Sequence, residues 1–271
     1  MRPFVAIDTA TEQVAVGIGD LDDPGSVIAE RSFLAPRAAN EVLVRTVEDL
    51  LEEVGARASG VEAVACGRGP GSFTGVRIAV ATAKGMAHGL RAPLVGFGTS
   101  EAIAHRWTHP GLVGVVTDAM RGEVYPALFR VEGDGVVKRL ATDRVATPQE
   151  VAAEWAGLGE SVVLIGTGLR KHRAVFEREM GDRAVYAEER LWVPDGASIV
   201  RAAWATEGAS TLRAIAGLSR DYAYAAAHPA ALLPVYTRLS DAEEAERKRA
   251  GMSRGPGATG VAGPSEGGDR S

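Results

Sequence analysis

Apolar strands that alternate with amphipathic helices, a Gly-rich loop at a strand-to-helix junction, and a layout that restarts near residue 112 predict an α/β protein built from two similar halves. Phe4 to Ile7 reads as a short strand that ends at the polar turn Asp8-Thr9-Ala10-Thr11. Val14 to Ile18 and Val27 to Phe33 continue it as a meander. Leu43, Val47, Leu50 and Val54 recur at helical spacing, so a helix is expected over 40–54, with Asn40 as N-cap and Gly55 as stop. Val61 to Cys66 is a buried-type strand feeding the loop from Gly67 to Gly75. A helix rich in small residues follows over 76–90, and Pro93 to Phe97 is a further strand.

The second half repeats this order. Leu112 to Thr117 is an apolar strand ending at Asp118, as the first strand ends at Asp8. A turn at Asp118-Ala119-Met120-Arg121-Gly122 leads to a strand over 123–131, and Thr147-Pro148-Gln149-Glu150 has the form of a capping box with proline at the first helical position. Val162 to Ile165 then ends in Gly166-Thr167-Gly168, echoing the strand and Gly-rich loop of the first half. Helices are expected over 197–205 and 211–217, and Pro234 to Arg238 as a last ordered segment. A duplicated β-β-β-α-β-α unit is the layout of the actin-like, ribonuclease-H-like class. The lobes are expected at 1–108, joined by a returning segment near 218–240, and at 109–217. From residue 241 charged residues give way to Gly, Pro and Ser with almost no large apolar side chain, so 241–271 is expected to be a disordered tail.

Composition narrows the function. The chain has 271 residues, 46% hydrophobic and 24% charged, enough for a sizeable core. Its net charge of −5 argues against a protein that grips nucleic acid unaided, because phosphate contacts supply most of that affinity. A single cysteine, Cys66, excludes an internal disulfide and a thiolate metal cluster and fits a reducing compartment. The expected location is the cytoplasm, because the sequence has neither a signal peptide nor an apolar run of membrane length.

The loop formed by Gly67, Arg68, Gly69, Pro70, Gly71, Ser72, Phe73, Thr74 and Gly75 is the most specific motif. Its glycines would let backbone N–H groups approach an anion at a helix N-terminus, with Arg68 and Arg77 nearby. A tight structural turn that packs a Gly-rich helix fits equally well. Neither the Walker A spacing nor the dinucleotide fingerprint is present. Asp8 and Asp118 stand where actin-like ATPases hold Mg²⁺, yet no glycine lies between Asp8 and Gln13, and strand-end turn roles suit both better. His105 and His109 have a spacing that can bind metal, but a helix C-terminus explains them more simply. Each of the two helices over 40–54 and 76–90 is apolar on more than one face. That fits burial within the chain or one stripe turned to a partner.

The loop from Gly67 to Arg77 resembles the TsaB family. Ala6-Ile7-Asp8-Thr9, Asp118 to Tyr125 and Pro234 to Arg238 match in the expected order. The resemblance implies an actin-like ATPase (ASKHA) fold of two ribonuclease-H-like lobes. It implies a non-catalytic subunit that dimerises with and activates a TsaD-type threonylcarbamoyltransferase, the enzyme forming N6-threonylcarbamoyladenosine in tRNA. A TsaE-type ATPase would join through the complex, tRNA would be bound indirectly, and homodimers by the same face are known in the family. The implied partner face is carried by the two N-terminal helices, at Asn40, Leu43, Val44, Val47, Leu51, Phe73, Val76, Val80, Ala83 and Ala87. No catalytic residue, metal or cofactor is implied, although the loop residues Gly67, Arg68, Gly69, Gly71, Ser72, Thr74, Gly75 and Arg77 would permit a nucleotide shared at the partner boundary. Where the catalytic relative carries a His-x-x-x-His metal pair, this chain has Thr99 and Ile103. The rival readings are an autonomous actin-like ATPase or sugar kinase using Asp8 and Asp118, and a metalloprotease.

Overall fold

The computed structural model describes residues 1–35, 39–206 and 211–235. The expected segment Pro234–Arg238 lies partly, and the expected tail wholly, outside them. Two five-stranded mixed sheets share one topology. The first is built from β1 (Pro3–Asp8), β2 (Gln13–Asp20), β3 (Val27–Leu34), β4 (Ala63–Gly67) and β5 (Leu94–Phe97), in the order β3-β2-β1-β4-β5. The second uses β6 (Gly111–Asp118), β7 (Val124–Val131), β8 (Val137–Arg139), β9 (Val162–Ile165) and β10 (Ala184–Tyr186), in the order β10-β9-β6-β7-β8. In each sheet the first three strands form an antiparallel meander and the last two run parallel to the first. This is the duplicated ribonuclease-H-like unit of the actin-like fold.

Alternation along the strands explains the layers. On β1, Val5 and Ile7 face one core and Phe4 and Ala6 the other. On β4, Val64 and Cys66 share the first of these and Ala63 and Ala65 the second. The first core is covered by α1 (Ala39–Glu53) and α2 (Phe73–Leu90), which bury Leu43, Val47, Leu50, Ala79 and Ala83. Each fully buried Leu or Val contributes about 1.5–3 kcal/mol. The second core is covered by α6 (Gly196–Ala205), with Ile199, Val200 and Trp204 on Phe4 and Val95. α6 seats closely because Gly17 and Gly196 meet there. A Cβ on either would strike the other strand's or helix's backbone. The remaining short helices are α7 (Leu212–Ile215) and α8 (Arg220–Ala226).

The second sheet packs on α4 (Pro148–Ala156) and α5 (Leu169–Met180). Trp155 and Phe176 lie 6.1 Å apart in that core, and the absence of a side chain at Gly114 makes room for the indole. α3 (Thr99–Ala104) also contributes to this core through Ile103. Each chain half therefore lends a helix to the other's sheet: α3 to the second, α6 to the first. The lobe boundaries expected from chain order, 1–108 and 109–217, assign these two helices the other way. α3 turns Ile103 and Ala104 to the core of the second sheet and Ala102 to the core under α6.

Element ends differ in two places. α1 already includes Ala39, so Asn40 is an exposed residue of its first turn and not the N-cap. α2 starts at Phe73, not Val76, because Ser72 caps it and accepts the Gly75 N–H at 3.3 Å. The Thr147 capping box opens α4 as expected, and Gly55 ends α1 in the left-handed region at φ +67. Strands β8 and β10 and helices α5 and α8 lie outside the expected elements: the strands are too short to show a period, and α5 is mostly polar.

Candidate functional site: the glycine loop and the α1/α2 face

The loop after β4 is pressed against the turn that follows β1. Added Cβ atoms on Gly67, Gly71 and Gly75 would collide with the Asp8 carboxylate, the Ala10 carbonyl and the Thr9 carbonyl. Its N–H groups are spent within the chain: Arg68 N–H on the Phe97 carbonyl, Gly69 N–H on Thr99 Oγ1 at 3.2 Å, Ser72 N–H on the Ala10 carbonyl at 2.7 Å and Gly75 N–H on Ser72. Arg68 lies along Gly96 and donates from Nε to the Leu233 carbonyl at 2.6 Å, and its own carbonyl accepts the Val235 N–H at 2.9 Å. Its burial lowers its pKa. Thr74 is exposed, and the Arg77 guanidinium lies 3.7 Å over the Phe73 ring. Of the two readings of the loop, these contacts are those of a close-packed turn. The named N–H groups are not offered to an external anion, and Arg68 is engaged with the C-terminal segment.

Both strand-end acids are engaged by groups of the chain itself. Asp8 is fully buried. Its Oδ1 accepts the Ala10 N–H at 2.7 Å and its Oδ2 the Thr99 O–H at 2.7 Å. Burial raises its pKa to about 6, against the lowering effect of those two hydrogen bonds. Asp118 Oδ1 accepts the Met120 N–H, and Oδ2 is 2.5 Å from Lys171 Nζ on α5. Next to that pair, Arg170 bridges Glu12 and Glu189 at 2.6 Å each. Cys66 is buried, which pushes its thiol pKa up. His105 ends α3 and is pushed down to about 4 by burial and by Arg201, whereas His109 lies past the helix beside Trp107, so the two do not share a helical face. Thr99 and Ile103 are both fully buried, one tied to Asp8 and the other in the core of the second sheet. Among the described residues no group of three His, Cys, Asp or Glu is placed to hold a metal ion.

The expected partner-face residues divide sharply. Leu43, Val47, Leu51, Val76, Val80, Ala83 and Ala87 are buried in the chain's own core, where they hold α1 and α2 onto the first sheet. They present no surface to a partner, which corrects that part of the expectation. Asn40, Val44 (45% exposed) and Phe73 (44% exposed) do face solvent. The solvent side of α1 is acidic, with Glu41, Glu48, Asp49, Glu52 and Glu53 against Arg45, and Arg31 engages Asp49 and Glu53. α2 has no acid at all. Its outer side carries Arg77, Lys84 and His88 around Ala81, Gly85 and Gly89, and the space beside Gly85 and Gly89 is open. Thr99 was not read as a site residue. Its role depends on a partner 91 positions away, which no local pattern announces.

Two duplicated sheets of ribonuclease-H-like topology, with the strand-end acid of each tied to the chain's own groups, define a protein of the actin-like fold. The model for TsaD, tRNA N6-adenosine threonylcarbamoyltransferase, matches residues 33–246. The chain is 36% identical over 168 residues to the tRNA threonylcarbamoyladenosine biosynthesis protein TsaB of Escherichia coli, covering 61% of this chain and 71% of that one. It is 26% identical over 185 residues to TsaB of Bacillus subtilis, covering 66% and 77%. The solved structure of YeaZ from Pseudomonas aeruginosa superposes with a TM-score of 0.65 at 28% identity, over 87% of this chain and 100% of that one. The chain belongs to the TsaB family, within the wider group that the TsaD model describes. No helix among the described residues is long and apolar enough to cross a membrane.

Proposed function

We propose that the chain is a non-catalytic subunit in the biosynthesis of tRNA N6-threonylcarbamoyladenosine, which pairs with a TsaD-type transferase through the solvent face of α1 and α2 and activates it. A TsaE-type ATPase joins through that complex, tRNA is engaged indirectly, and a homodimer by the same face competes with the pair. The names of the Escherichia coli and Bacillus subtilis relatives supply the pathway. The observation that carries the pairing is the α1/α2 face: an acidic helix beside a basic one, with Val44 and Phe73 exposed and a small-residue strip at Ala81, Gly85 and Gly89. Complementary charge on two related helix pairs favours docking about a pseudo-twofold axis, and small residues let a partner helix come close. The engagement of Asp8 by Thr99 and of Asp118 by Lys171 supports the absence of catalysis in this chain.

The test is reconstitution of tRNA modification with TsaD-type and TsaE-type subunits, with and without this chain. Activity should require it. Val44→Asp and Ala81→Glu, both at exposed positions, should weaken pairing at least tenfold, about 1.4 kcal/mol, while leaving the fold intact. Modification by the other subunits alone, or tight Mg-ATP binding and turnover by the isolated chain, would count against the proposal and for the autonomous ATPase.

A further inference from the structure

We infer that Asp8 is the positioning residue of the docking face: through Thr99 and the Ala10 backbone its carboxylate fixes the turn from which α2 starts. This rests on the reading of α1 and α2 as the docking face. The path is continuous and short. Asp8 Oδ1 holds the Ala10 N–H, and the Ala10 carbonyl holds the N–H of Ser72, the residue that caps α2. Asp8 Oδ2 takes the Thr99 O–H, so the lone pairs of Thr99 Oγ1 are left to accept the Gly69 N–H, while the Thr99 N–H returns to the Gly69 carbonyl at 2.9 Å. Thr9 Oγ1 closes the far side on the Gly75 carbonyl at 2.7 Å.

Both ends of the loop are thus pinned to one three-residue turn, and Phe73 and Arg77 leave it in the first turn and a half of α2. The glycines at 67, 71 and 75 are what allow that turn to lie so close. A carboxylate suits the place because it accepts from two donors at once, and a buried acceptor with both donors supplied is strongly directional. Asp8 is not held by a cation among the described residues. The buried Cys66 thiol senses the Asp8 charge, and Arg68 and Lys84 act on Cys66 in the opposite direction.

The test compares Thr99→Val, which keeps shape and removes the hydroxyl, with Thr99→Ser, which restores it. Two quantities are read: hydrogen exchange of the loop amides in the isolated chain, and the Kd for the TsaD-type subunit of the same source. Thr99→Val should speed exchange at Gly69 and Ser72 and weaken pairing about tenfold, the effect of losing about one buried hydrogen bond. Thr99→Ser should keep both near wild type, and Val44→Asp should weaken pairing without changing loop exchange. Faster exchange with unchanged Kd in Thr99→Val, or unchanged exchange, overturns the role of Asp8. Failure of the wild-type chain to pair, or full pairing by Val44→Asp, overturns the docking reading and the role of Asp8 with it, and the exchange data then show separately whether the clamp exists.

Discussion

At Asp8 a carboxylate is kept out of water with two hydrogen bonds and, among the described residues, no counter-ion, and that has a measurable cost. Its pKa is raised from 3.8 to about 6. A carboxyl whose folded pKa exceeds its unfolded one gives stability that is fully present below about pH 4 and is lost as pH rises through about 6. Denaturant unfolding between pH 4 and pH 7 should therefore show a loss on the order of 3 kcal/mol across that window. Asp8→Asn should remove that pH dependence, and a window that survives in Asp8→Asn would refute the assignment. Glycines give the sharpest single-residue contrast. Gly75→Ala drives a methyl into the Thr9 carbonyl and should cost more than about 2 kcal/mol by thermal unfolding. Gly85→Ala, in the same helix but facing open space, should stabilise the isolated chain by up to about 1 kcal/mol.

At the scale of the element, α2 has two unlike sides. One buries Val76, Ala79, Val80, Ala83 and Ala87 in the core, and the other offers Arg77, Ala81, Gly85 and His88 to solvent. Ser72 starts it by capping, so Ser72→Ala should lower stability by about 1 kcal/mol and loosen the first turn that carries Phe73. The sequence made the two-sidedness of this helix plain, yet it could not say which side was inside. Residues such as Val80 and Ala81 are both compatible with a close helix contact, and only the direction of the sheet separates them. The helix start was misjudged for a related reason. Glycine at 75 reads as a loop residue, while Ser72 three positions earlier already satisfies the helix's free N–H groups.

At the scale of the molecule, the exchange of α3 and α6 between the two sheets ties the halves together. Arg139, the last residue of β8 in the second sheet, reaches Glu101 and Ser100 of α3 and Asp143, and stacks 4.7 Å over Phe129. Arg106 pairs with Asp195, which caps α6 by accepting the Ser198 N–H at 2.7 Å. These are partly buried links between elements far apart in sequence, so Arg139→Ala should cost about 1–3 kcal/mol, mostly by removing the cation from Glu101 and Asp143, which keep only the Gly98 N–H and the Ser100 O–H. Calorimetry of that variant should show the loss, and an unchanged Tm would argue that the cluster is only a surface decoration.

Periodicity along the chain determined the three strands of the first meander, β6 and β7 of the second, helices α1, α2 and α4, and the duplication of the whole unit, because each of these is written in local apolar spacing that a folded backbone must obey. The glycine loop's motif was equally legible as a place of close approach. What the loop approaches, which side of α1 and α2 is buried, and which sheet claims α3 and α6 were settled only in the tertiary structure. Those outcomes depend on pairs such as Asp8 with Thr99 and Gly17 with Gly196, whose members are distant in the chain and meet only when the sheets close on their helices.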